Sequence, residues 1–264
     1  MMKTFTTCIV AAFLLVSRAD AQAPNTNAAL RYWMAFAVMH DPPADQATAE
    51  LLDRIAAGTS SWDEGKFGKL LDDNREALEM MQRASKLPSC DWGLETELGS
   101  NTPIAHLAKA RALGRLNAIS GTRLASRGQW VQAVDVWLAG VRFSQHVAHD
   151  GTLIALLSAR LSLSPSLKSL ARAAAQSSVD AAIRRRIADA VRAIPEAGFD
   201  WADAMRREAD LAATRLKAAA QAAGRRAPDQ AEVKAAMPSQ TKLDQTAAEV
   251  RAERKAVLDA VSRP

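Results

Sequence analysis

The chain has 264 residues, 48% of them hydrophobic and 24% charged, with a net charge of +5. That balance suits one or two globular domains, and the positive excess is mild with both signs interspersed, which argues against a nucleic-acid partner. Aromatics make up only 5%, Ala and other strong helix formers dominate, and alternating runs of Val, Ile and Thr are scarce, so the expected class is all-α.

The chain opens MMKTFTTCIVAAFLLVSRADAQAPN. Lys3 supplies a basic start, and 5–16 is an apolar core of about a dozen residues, shorter than the roughly 20 that span a bilayer. Ala19-Asp20-Ala21 is a small-x-small cleavage site, and a cut after the alternative Ala23 would leave Pro24 first. Residues 1–21 therefore read as an export signal, and the processed chain as periplasmic or secreted, with no transmembrane segment. Cleavage would remove Cys8 and leave Cys90 as the one cysteine, expected to be buried in an oxidising compartment. It would also remove Lys3, Arg18 and Asp20, lowering the net charge by one.

Asn27 can cap a first helix, 28–40, that DPP at 41–43 stops. A second helix, 44–57, ends at Gly58, and a third runs 66–86 to Pro88. Residues 87–101 form a loop carrying Cys90 and Trp92 that is expected to pack down. Asn101-Thr102-Pro103 starts a helix to 126, Arg127-Gly128 turns the chain, and another helix runs 129–149 to Gly151. Further helices are expected over 152–163, 165–176, 179–194 and 201–223, with breaks at Ser164-Pro165 and after Pro195. Residues 22–225 form the helical domain, of about seven to nine helices. Residues 226–264 lack aromatics and carry few large aliphatics, so they read as a polar tail, solvated helix or disordered.

One stretch has a recognisable pattern: 114–145, GRLNAISGTRLASRGQWVQAVDVWLAGVRFSQ. Gly121 and Leu124 are the small and apolar positions of a first helix. Gly128 and Trp130 form the turn, and Ala133, Trp137 and Gly140 are the small, aromatic and small positions of a second. This resembles a tetratricopeptide-repeat hairpin, although Asn117 replaces the usual aromatic and Gln145 the closing Pro. The resemblance implies an irregular solenoid of helical hairpins and a protein or peptide partner. More broadly, 27–210 resembles a group of uncharacterised exported bacterial helical proteins, which implies no activity.

The candidate metal set is His146, His149 and Asp150 in SQHVAHDG. Two histidines at i, i+3 can share a cation, but Arg142 one turn earlier opposes it, and a further ligand would have to come from elsewhere in the chain, with His106 and Glu208 as examples. On the helix starting at Trp130, His146 falls opposite the apolar stripe, so the favoured reading is a solvated helix end. Asp91, Glu95 and Glu97 are a weaker carboxylate cluster, and Arg184-Arg185-Arg186 and Arg206-Arg207 could touch an anionic envelope surface. No cofactor or catalytic residue is indicated. The sequence points to non-catalytic binding of a protein or peptide in the envelope; the alternatives are an envelope metal-binding protein or metalloenzyme using His146, His149 and Asp150, and a basic structural protein associated with the envelope surface.

Overall fold

The computed structural model describes residues 26–94, 104–149 and 151–263; the 1–21 stretch expected to be an export signal lies outside the described residues. Among these, eleven helices and no strand are present, so the protein is all-α. They are α1 (Ala28–Val38), α2 (Gln46–Ala57), α3 (Glu64–Asp73), α4 (Arg75–Ala84), α5 (His106–Ser126), α6 (Trp130–Val147), α7 (Leu153–Ala174), α8 (Ala181–Ala193), α9 (Trp201–Ala222), α10 (Gln230–Ala235) and α11 (Gln240–Val261). No helix is long and apolar enough to cross a membrane among the described residues.

Local chemistry sets many boundaries where the sequence expects them. Asn27, Asp45, Asp63, Thr152 and Asp180 each accept a hydrogen bond from a first-turn N–H. Gly58 ends α2 in the left-handed conformation, φ +73°.

Three boundaries differ. α5 opens at His106, while the start expected at Asn101-Thr102-Pro103 lies outside the described residues. The helix expected over 66–86 is split at Asn74, which leaves the helical conformation at φ −101°, ψ 11°. Its fully buried amide accepts from the His40 N–H at 3.0 Å and donates to the carbonyls of His40 and Leu70. That pairing ties the end of α1 to the α3–α4 joint and satisfies backbone groups that would otherwise be orphaned. Conversely, the break expected at Ser164-Pro165 is absent, because α7 runs continuously through Pro165. An internal proline costs on the order of 3 kcal/mol. Here Leu156, Ala159, Leu163, Leu167 and Leu170 bury one stripe that spans the proline, so both halves are held on the same core.

α5 and α6 form an antiparallel hairpin: Asn117 bonds the Val136 carbonyl, and Trp137 the Ala118 carbonyl. α7 packs on both. Close approach rests on small residues. A Cβ on Gly121 would meet the Trp137 indole, one on Gly114 would meet Ser162, and one on Gly140 would meet Ser166. The repeat-like spacing is thus a three-helix contact rather than a two-helix one.

The C-terminal segment is the main correction. α11 is not a solvated tail but packs along α7 and α8, burying Leu243, Ala247, Val250, Val257 and Ala260. The stripe is narrow and two of its five buried residues are alanines, which is why composition hides it. Arg160 pairs with Glu249, and Ser164 and Lys168 with Glu253, along its α7 edge.

Candidate functional site

α6 separates two features that carry the chemistry of the fold. The first is an aromatic node. Asn27 pins residues 89–91 beside the start of α1: its amide donates to the Asp91 carbonyl and accepts from the Asp91 N–H, and the Ala28 N–H donates to the Ser89 carbonyl. This drops Cys90 and Trp92 into the core, 2% and 4% exposed. Trp92 stacks on His106 at 4.6 Å between centroids and on Tyr32 at 5.6 Å, and its indole N–H donates to the His146 carbonyl. Tyr32 lies edge-on to Phe143 at 4.8 Å.

His146 belongs to this node, which corrects the expectation of a solvated helix end. Its Nδ1 lies 2.8 Å from Tyr32 Oη. Burial raises the Tyr32 hydroxyl far above its usual range, with Cys90 adding to the rise, so the phenol keeps its proton. Burial, then His149 and Arg142, hold His146 down to about 4. Helical projection places His146 away from the Trp137 stripe, but α1 packs on that side too, through Tyr32. His149 is exposed, and Asp150 lies outside the described residues. Among the described residues no group of three His, Cys, Asp or Glu gathers to hold a metal.

His106, the first residue of α5, is 1% exposed with neither ring nitrogen hydrogen-bonded, and burial lowers it to about 4. A depressed histidine favours the native state fully above the unfolded pKa near 6.5, and that advantage is lost as pH falls toward 4. Urea unfolding at pH 4.5 should therefore show about 2 kcal/mol less stability on account of His106 than at pH 7. His106→Phe, which keeps a ring against Trp92, should lessen that loss. An unchanged pH 7 to 4.5 difference would show that His106 is not buried as a neutral ring.

The second feature is an open cleft of about 810 Å³ across α4, α5, α6 and α8. Gln132, Asp135, Val136, Ala139 and Arg142 form one face of α6 at helical spacing, opposed by Gln82 and Lys86 from the α4 side and Arg186 from α8. Arg186 is bonded to Asp135 at 2.5 Å. Arg142 is half-buried and forms no ion pair or hydrogen bond with a described side chain, and its Nε is closed from water without an acceptor. Burial lowers the pKa of Arg142, Tyr32 and Asp135 oppose that, and a guanidinium stays charged throughout. The cleft thus presents three cations against one carboxylate.

No family model, no curated protein and no solved structure matches the chain.

The hairpin positions divide plainly. Ala133, Trp137, Gly121 and Gly140 are buried packing positions, Leu124 and Trp130 pack on the core edge, and Gly128 turns the chain at φ +72°. Leu124 also lines the cleft. The Arg184–Arg186 run does not act as one patch: Arg184 bonds the carbonyls of Arg263 and Gln176, while Arg186 enters the cleft. Arg206 and Arg207 both pair with Asp203. Glu95 and Glu97 lie outside the described residues. In the sequence Arg142 stands out only as an obstacle to a metal at His146 and His149. Its own signal was available, since residues 138, 139, 145 and 146 include no acid, so no intrahelical partner could claim it.

Proposed function

We propose that the protein is an exported, non-catalytic helical binding protein of the cell envelope, and that the α4–α6–α8 cleft holds a segment of a protein or peptide partner. The observation that carries this is the half-buried, unpaired guanidinium of Arg142 in an open cleft. A charge kept partly out of water without a partner is unfavourable within the protein alone and is relieved when a ligand supplies one. Helical hairpins of the tetratricopeptide type, which 114–145 resembles, bind peptides on such surfaces. Export rests on the leader pattern of 1–21. The metal-binding alternative draws no support from His146, whose Nδ1 faces the Tyr32 hydroxyl.

The test is a photo-crosslinking residue placed at Gln132 in cells expressing the full chain, with the exposed Lys217 of α9 as control position. A discrete adduct from position 132 and none from 217 is expected. Equal labelling from both positions, or none from 132, would sink the partner-cleft reading.

A further inference from the structure

Resting on that reading of the cleft, we infer that its ligand is an acidic peptide segment, one carboxylate of which seats end-on against the two Nη nitrogens of Arg142. The geometry selects that edge. Nε is closed off, while the Nη nitrogens neither bond a described group nor lie buried, and the residue lines the cleft. The terminal pair of a planar guanidinium offers two parallel donors at the spacing of a carboxylate.

The charge count narrows the ligand class. Arg186 already shares its charge with Asp135. What is left uncompensated is Arg142 in the cleft and Lys86 on the α4 side, the latter also outside every ion pair among the described residues. One planar donor and one flanking ammonium match isolated carboxylates better than a dianionic phosphate, which needs several converging donors. The remaining lining favours a peptide over a free ion. Leu124, Val136 and Ala139 give an apolar strip beside Arg142, and the Gln82 and Gln132 amides can each donate to and accept from a peptide backbone. A Glu or Asp next to an aliphatic side chain satisfies both.

The probe is a fluorescein-labelled peptide of alternating Glu and Leu, titrated with the full-length processed chain at 0.15 M salt and followed by anisotropy, with the same peptide carrying Lys for Glu as the control. Arg142→Gln should weaken binding about tenfold or more, because a charge-assisted bidentate pair is lost. Arg142→Lys should recover only part of it, since an ammonium lacks the planar fork. Lys86→Gln should weaken binding about twofold to threefold and flatten its salt dependence. The exposed Arg111→Gln should change nothing. The melting temperature of Arg142→Gln should equal or exceed that of the parent, which a purely structural arginine would not allow.

Absence of binding by the parent chain, or equal weakening by Arg142→Gln and Arg111→Gln, overturns the inference. Displacement of the peptide by 1 mM inorganic phosphate, or Arg142-dependent binding to vesicles of anionic phospholipid, overturns the choice of peptide in favour of phosphate chemistry. An adduct from position 132 together with no peptide binding would leave the partner cleft standing and remove its acidic assignment.

Discussion

Gly121→Ala should destabilise the protein by about 1–3 kcal/mol, and the same change should become stabilising once Trp137 is cut to Ala. In an isolated helix Ala is better than Gly by about 1 kcal/mol, so propensity alone gives the opposite sign. The packing decides. A methyl on Gly121 would lie 2.7 Å from Trp137 Cε2, and closer still to Nε1. The indole cannot swing away cheaply, because it is 1% exposed and its N–H donates to the Ala118 carbonyl at 3.1 Å. Trp137→Ala by itself should cost about 3–5 kcal/mol for the buried ring. In that background the space opposite Gly121 is empty, the clash is gone, and the helix-propensity gain should appear as about 0.5–1 kcal/mol. Urea unfolding of the four proteins measures the cycle. Additive effects within about 0.5 kcal/mol would mean that Gly121 and Trp137 do not touch.

What was legible in the sequence was whatever local spacing encodes. The Gly121–Trp137 contact follows from a small and an aromatic residue at matching positions on either side of a short turn. The end at Gly58 and the cap at Asn27 need only the chemistry of one residue. What was illegible depends on partners far along the chain. Asn74 breaks a helix because His40, 34 residues earlier, takes both sides of its amide. Pro165 fails to break one because the same leucine stripe is buried on both sides of it. His146 leaves solvent because Tyr32, 114 residues away, meets its ring. The aromatic node joins α1, the 89–92 segment, α5 and α6, and none of its recorded ring pairs is closer than 14 residues along the chain except Trp33–Phe36, neighbours on one helix. The cleft was hidden for a different reason. A sequence shows which charges exist but not which are already spent, and only the pairings of Asp135 with Arg186 and of Asp203 with Arg206 and Arg207 show that Arg142 remains.

Val250→Asp should cost about 3–5 kcal/mol, as large an effect as removing a core tryptophan, although it lies in the segment that composition marks as a tail. Val250 is 0% exposed; a Cβ on Gly198 would lie 2.7 Å from its Cγ1 and 3.1 Å from Leu163. Gly198 holds φ +82°, a left-handed turn that brings the backbone before α9 down onto this spot. A carboxylate there would be closed from water, and the Arg254 Nε one turn on already donates to the Val191 carbonyl. Arg160 and Lys168 are already paired with Glu249 and Glu253, and the Glu253 Oε2 is itself buried without a partner. The new charge would face two like charges on its own helix. Leu243 and Val257 extend the same stripe, each contributing on the order of 1.5–3 kcal/mol of burial. Exposed Arg251, one residue on, is the matched control, and Arg251→Ala should shift stability by less than about 0.5 kcal/mol. Urea midpoints separate the two outcomes. If Val250→Asp and Arg251→Ala unfold together, α11 is not part of the core. If only Val250→Asp falls and the transition stays single, α11 folds with α7 and α8 as one unit, and a truncation before residue 240 would remove a wall of the fold rather than a tail.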